Sequence, residues 1–236
     1  VSIWGLMENL TAVNENGNDQ NTGGGVSAFA FDPSSGKLSF INKVSSEGND
    51  PCYIDIDKNG KWLAIANYSG GSAALLPVNA DGSIGKSTSQ VQFYGKGVNI
   101  ARQEKPHAHC AQFSNDGQYM AVTDLGTDQL HLYPFDKSNH NFDESHSILT
   151  KVKPGAGPRH IIFHPTKKYL YLIEELTGSI SVFCWMENKL ILLQNTVMIP
   201  PSMLEGNTGA DIHVSGDGKF LYASVRGKIN EIRSFK

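Results

Sequence analysis

No apolar run in this sequence approaches the roughly 20 residues of a membrane-spanning helix, and no stretch carries apolar residues at the 3.6-residue period of an amphipathic helix. Neither a membrane partner nor a helical bundle is expected. Cysteine is scarce: Cys52, Cys110 and Cys184 form no CxxC pair and are odd in number, which speaks against a disulfide framework and a cysteine zinc site. A reducing compartment, the cytoplasm, fits best. The chain opens Val1-Ser2-Ile3-Trp4 with neither an initiator Met nor a signal-peptide pattern, so an export address upstream stays compatible with it.

A large excess of either charge is also missing. A net charge of −3 supplies no basic field for nucleic acid, so any anionic ligand must be met by a few local arginines. Gly23-Gly24-Gly25 lacks the helix and the Lys-Ser/Thr of a phosphate-binding loop. No Gly-x-Ser-x-Gly elbow supports a serine hydrolase triad. Asn9-Leu10-Thr11 and Asn67-Tyr68-Ser69 match the glycosylation triplet, but nothing else marks secretion.

What the sequence does have is repetition. Asp57-Lys-Asn-Gly60-Lys-Trp62, Ser114-Asn-Asp116-Gly117-Gln-Tyr119, His164-Pro-Thr-Lys-Lys-Tyr169 and Ser215-Gly-Asp217-Gly218-Lys-Phe220 follow one template, and each leads into a β-rich apolar run. The aromatic positions 62, 119, 169 and 220 are 57, 50 and 51 residues apart, a period that belongs to propeller blades. Each template is the turn of a hairpin, between a strand such as Cys52–Ile56 or His160–Phe163 and the strand with the aromatic. A third run follows (Ser72–Leu76, Gln129–Tyr133, Ser179–Trp185), then an irregular fourth such as Lys189–Gln194. Leu10–Glu15 and Gly25–Leu38 look like part of a further blade, with the Asn- and Gly-rich Asn14–Gly25 as a loop.

The expectation is therefore an all-β protein, a β-propeller, with residues 1–236 as one propeller domain incomplete at both ends. About seven blades at this period need on the order of 330 to 350 residues, so the chain covers about five.

Equal offsets in a repeat occupy equivalent places. Five positions before Asp57, Ser114, His164 and Ser215 stand Cys52, His109, Arg159 and Ala210; eleven positions after them stand Tyr68, Leu125, Glu175 and Arg226. The first set enters strand one and the second leaves strand two, so both sets lie at the blade end opposite the template turn. His109, Arg159, Glu175 and Arg226 are thus candidates for one cluster at the mouth of the propeller channel. Two guanidiniums suit an anion or oxyanion, and a histidine with a glutamate suits proton transfer. The bland reading makes Arg159 and Glu175 a rim salt bridge. His107, two residues before His109, could form a His-x-His metal pair, but a third ligand is not evident and no metal or cofactor is expected. His160 and His213 lie within first strands, where a buried imidazole between blades is expected; His131, His140, His146 and His164 read as surface or turn residues.

Pro106-His-Ala-His109, Gly157-Pro-Arg159-His160, Glu174-Glu175-Leu176 and Ala210-Asp-Ile-His213 with Asp217-Gly-Lys-Phe-Leu-Tyr222 resemble the lactonase family of seven-bladed propellers, which includes cycloisomerase-type 6-phosphogluconolactonases and a carboxymuconate cyclase. The resemblance runs from about Gly24 to the C-terminus. It implies an active site lined by His109, Arg159, Glu175 and Arg226; His107, His160 and His213 are expected as substrate-binding residues beside them. Ser224-Val225 before Arg226 departs from the Asn or Asp often found there. The implied function is hydrolysis of a small anionic sugar lactone, 6-phosphoglucono-δ-lactone of the pentose phosphate pathway, with Glu175 or His109 as the base. The alternatives are a lactonising cyclase using the same side chains and a non-catalytic propeller that binds a protein or sugar. The sequence carries no signal of oligomeric state.

Overall fold

The computed structural model describes residues 3–6, 9–15, 23–136, 141–186 and 189–236, with the backbone alone at 3–6 and 136. His140 and most of the Asn/Gly-rich 14–25 stretch lie outside the described residues. The described chain is strands and turns, apart from one 3-10 turn at Pro201–Met203.

Five antiparallel sheets follow one another in chain order. The first holds β1 (Ile3–Leu6), β2 (Asn9–Asn14), β3 (Gly25–Asp32) and β4 (Lys37–Ser45); the second holds β5 (Pro51–Ile56), β6 (Trp62–Asn67), β7 (Ser72–Pro77) and β8 (Ser89–Gln92). The third holds β9 (Ala108–Phe113), β10 (Tyr119–Asp124), β11 (Gln129–Asp136), β12 (Asn141–Phe142) and β13 (Ile148–Lys151), with β12 and β13 both pairing β11. The fourth holds β14 (Pro158–Phe163), β15 (Tyr169–Glu174), β16 (Ser179–Met186) and β17 (Lys189–Val197), and the fifth β18 (Asn207–Val214), β19 (Leu221–Gly227) and β20 (Glu231–Phe235). Sequential meanders of this kind are the blades of a β-propeller, the fold class expected from the repeat. The first sheet is not the fragment that the sequence suggested, because β1 pairs along β2 from Ile3 opposite Ala12 to Leu6 opposite Asn9.

By compactness the chain forms two units: Val1–Tyr94 with Pro106–Val122 and Leu132–Ser147, and Gly95–Lys105 with Thr123–His131 and Ile148–Lys236. In the first, β6 and β7 are apolar on both faces because both faces are covered. Trp62, Ala64, Ala66, Ala73 and Leu75 pack with Ala108, Ala111, Met120 and Val122 of the third sheet. Leu63, Ile65, Ala74 and Leu76 turn the other way, onto Val13, Val26 and Ala28 of the first. A fully buried Leu or Ile of this kind contributes about 1.5–3 kcal/mol. In the second unit Ile173, Ile180, Ile212, Ala223 and Val225 join the fourth and fifth sheets.

The template turns are built alike. The amides of Asp57, Ser114, His164 and Ser215 donate to the carbonyls of Trp62, Tyr119, Tyr169 and Phe220, five residues on in each case. The first residue's side chain then caps the turn. Asp57 Oδ1 accepts from the amides of Lys61 and Trp62, and Ser215 Oγ from those of Lys219 and Phe220. His164 does this with an imidazole: its Nδ1 accepts from the amides of Thr166 and Lys167, and its Nε2 faces the Gly218 carbonyl at 3.2 Å. His164 is therefore a turn residue, as expected, though a buried one, whereas His131 is half-buried on β11, which corrects its reading as a surface or turn residue. His146 is exposed as expected. Asn67, in one of the two glycosylation triplets, is fully buried and donates to the Ser46 carbonyl and Ser72 Oγ, so it offers no acceptor for a glycan.

Candidate active site

Strand register explains how the polar groups of the second unit are aimed. Pro158 lies opposite Glu174 but Ile161 lies opposite Leu172, so Arg159 and His160 together face one partner position, a β-bulge. Gly209 lies opposite Val225 and Ile212 opposite Ala223, which puts Ala210 and Asp211 in a second bulge at the same repeat offset. β5 shifts in the same way between Pro51 and Tyr53, at Cys52. In a regular strand neighbouring side chains alternate between faces. Here Arg159 Nη1 stands 3.4 Å from both ring nitrogens of adjacent His160, so the two work on one side.

Glu175 is the hub. Its side chain is 1% exposed, and three arginines reach it. Arg159 Nε donates to Oε2 at 2.9 Å, Arg226 Nη2 to Oε2 at 3.3 Å, and Arg102 Nη2 to Oε1 at 2.5 Å. Their exposures differ: Arg159 is 12% exposed, Arg102 39% and Arg226 52%. Arg159 also donates from Nη1 to the Ala210 carbonyl, and Thr123 Oγ1 donates to the Arg159 carbonyl at 2.6 Å. Arg226 Nε donates to Thr208 Oγ1 at 3.1 Å, directly across β18 and β19, which orients this arginine without the Asn or Asp that the family places before it. Below the hub the Glu175 amide donates to the Gly157 carbonyl. Gly157 has φ 65°, and a Cβ there would meet Leu176 Cγ at 2.5 Å, so the turn before Pro158-Arg159 requires glycine.

A second network adjoins the first. Asp211 accepts from His160 Nδ1 at 2.7 Å and from His213 Nε2 at 3.0 Å. Burial holds the His160 imidazole below its ordinary range despite the Asp211 hydrogen bond. The Asp211 hydrogen bond instead raises His213. For Asp211 desolvation acts upward, yet the two histidine hydrogen bonds outweigh it and hold the carboxyl well below its ordinary range. His213 does not lie buried between blades as expected from the sequence: its side chain is 71% exposed, because it follows the bulge and turns to solvent.

In the first unit His107 and His109 are both buried and share Tyr68, which stacks on His107 with centroids 4.4 Å apart and meets His109 edge-on at 5.2 Å. Cys52 Sγ lies 3.7 Å from His109 Nδ1. Among the described residues no three His, Cys, Asp or Glu side chains are grouped so as to hold a metal ion.

Sequence reasoning passed over Arg102, Asp211 and Tyr68. Tyr68 shares the offset of Glu175 and Arg226 and could have been taken from it; Asp211 stands in the quoted Ala-Asp-Ile-His motif. Arg102 sits in an inter-strand segment outside the repeat, so no offset points to it.

Sequential blades with repeated bulges define a β-propeller that carries a glutamate bound by three arginines, and the chain belongs to the family described as lactonase, 7-bladed β-propeller, whose sequence profile matches residues 8–236. Among its relatives are the 6-phosphogluconolactonases of Formosa agariphila, 38% identical over 207 residues, and of Bacillus subtilis, 36% identical over 206. These alignments cover 87% and 86% of this chain, and the chain spans 58% of each relative's length. The structure of a periplasmic gluconolactonase from Pseudomonas aeruginosa superposes with a TM-score of 0.86 at 32% identity, covering 97% of this chain and 65% of that one. Among the described residues no helix is long and apolar enough to cross a membrane.

Proposed function

We propose that the protein is a lactone hydrolase that converts 6-phosphoglucono-δ-lactone to 6-phosphogluconate. The observation that carries this reading is the gathering of Arg102, Arg159 and Arg226 on the buried carboxylate of Glu175 in a chain of the lactonase family. The relatives named 6-phosphogluconolactonase support the choice of substrate.

In the proposed reaction water adds to the lactone carbonyl and gives up a proton, the ring C–O bond breaks, the ring oxygen takes up one proton, and a carboxylate, a hydroxyl and one proton released to solvent result. Arg159, the least exposed of the three arginines, is suited to the oxyanion that develops at the carbonyl, where low local dielectric strengthens a guanidinium hydrogen bond. Arg226, half in solvent, suits the fixed charge of the phosphate. Glu175 is committed to three guanidiniums, which favours an orienting role for it over proton abstraction, with His109 the other candidate base. His107, His160 and His213 are assigned to substrate contact. A lactone is an activated ester, so proton transfer plus an oxyanion contact suffice and no metal or cofactor is invoked. The cytoplasm is the proposed compartment, in keeping with three free thiols.

The test is a lactone-hydrolysis assay in which acid release is measured above the spontaneous rate, after exhaustive chelation. Turnover that survives chelation supports the reading. Binding of 6-phosphogluconate without turnover would favour a non-catalytic propeller, and activity restored only by a divalent ion would overturn the metal-free chemistry.

A further inference from the structure

Arg102 differs from an ordinary surface arginine in how its backbone is held. It lies in a tight turn in which the amides of Arg102 and Gln103 donate to the Asn99 carbonyl and the Ala101 amide donates to Asn99 Oδ1. The next residue, Gln103, is fully buried and anchors this turn from inside: its Nε2 donates to the Leu125 carbonyl at 2.8 Å, and its Oε1 accepts from the Asn99 amide at 3.0 Å. The Gly97 amide closes the turn on the Gln103 carbonyl, and a Cβ on Gly97 would meet the Gln103 carboxamide at 2.5 Å, so the clamp admits little play. A long side chain launched from a fixed backbone loses less freedom when it engages a ligand.

The side chain then takes the Oε1 side of Glu175, while Arg159 and Arg226 take Oε2. Arg102 and Arg226 are the two partly exposed guanidiniums of the trio, and they approach different oxygens of one immobile carboxylate. Glu175 thus sets their separation. One buried guanidinium already pairs this carboxylate, and exposed ion pairs add little to stability. Planar guanidinium donors match the oxygens of a phosphate monoester.

We propose that Arg102 is a specificity-determining residue that shares the substrate's phosphate with Arg226 as a two-arginine clamp spaced by Glu175. This rests on the lactonase reading above and adds to it the group that selects a phosphorylated over an unphosphorylated sugar lactone.

The experiment compares Arg102→Gln, Arg102→Lys and the wild-type protein on 6-phosphoglucono-δ-lactone and glucono-δ-lactone, together with calorimetric binding of 6-phosphogluconate and of inorganic phosphate. Loss of one charge-assisted contact is expected to raise KM for the phosphorylated lactone about tenfold more than KM for the unphosphorylated one. The lysine variant should recover part of that difference, and phosphate binding should weaken in parallel. Equal changes on both lactones, or no change on either, with folding intact by circular dichroism, would overturn the clamp. Should the wild-type protein hydrolyse neither lactone, the lactonase reading fails, but the binding arm still decides the clamp: weaker 6-phosphogluconate and phosphate binding in Arg102→Gln supports it, and unchanged binding refutes it.

Discussion

Arg159 and Arg226 touch the same carboxylate oxygen but differ more than fourfold in exposure, 12% against 52%. A guanidinium shielded from water acts on charge that develops during reaction; a solvated one is better used for charge already present on the substrate. Arg159→Met is accordingly expected to lower kcat on both a phosphorylated and an unphosphorylated lactone, by about 10²-fold if it serves as an oxyanion donor. Arg226→Met should mainly raise KM, and for the phosphorylated lactone only. Identical behaviour of the two variants across the four assays would refute the division of labour. Asp211 offers a second test at this scale. Asp211→Asn removes the anion that raises His213, so the pKa of His213 measured by proton NMR should fall toward 6.5.

Among the elements, the hairpins show which structure the sequence states outright. Asp57, Ser114, His164 and Ser215 cap four equivalent turns with three kinds of side chain, so the turn needs an acceptor at that place rather than one residue type. Asp57 is buried, and Asp57→Ala would leave the Trp62 amide without its side-chain acceptor. A loss of about 2 kcal/mol in urea denaturation is expected. Asp57→Ser should restore most of it, because serine does the same work at 114 and 215; a serine variant as unstable as the alanine one would contradict the equivalence of the turns. The bulges were not legible in this way. Nothing in Gly-Pro-Arg-His or Ala-Asp-Ile-His announces two residues facing one, although that irregularity brings Arg159 against His160 and leaves His213 in solvent.

At the scale of the molecule, two buried groups outside the proposed chemistry, His131 and Asp55, contribute to the dependence of stability on pH. Burial pushes His131 down from 6.5 to about 4. The unfolded chain therefore binds a proton below pH 6.5 that the folded one refuses, and the His131 contribution, full above pH 6.5, is lost as pH falls from 6.5 toward 4. Asp55 runs the other way: burial pushes it up from 3.8 to about 7, against the hydrogen bond it accepts from the Phe113 amide. Its contribution is present below pH 3.8 and is lost as pH rises toward 7. Replacing His131 by Gln should flatten the acid limb of the stability curve by about 3 kcal/mol between pH 7 and 4. Asp55→Asn, whose carboxamide oxygen can still accept from Phe113, should raise Tm more at pH 8 than at pH 4. Thermal melts across this range check both signs, and parallel shifts at every pH would sink them.

The sequence by itself determined the blade. A turn acceptor, a glycine or short polar link and an apolar β-run recur at blade spacing, and local hydrogen bonding with two-residue alternation needs no distant partner to be read. The same repeat arithmetic named Arg159, Glu175 and Arg226, which touch in the structure, because equal offsets in equal blades are a local property multiplied. Only the tertiary structure decided the rest. Arg102 joins Glu175 from 73 residues away, out of a segment with no repeat register, and is held by a buried glutamine. That three cations pack around the Glu175 carboxylate is likewise visible only in the folded chain. Burial and ion pairing arise from chain segments remote in sequence, and a spacing rule carries no information about which of them meet.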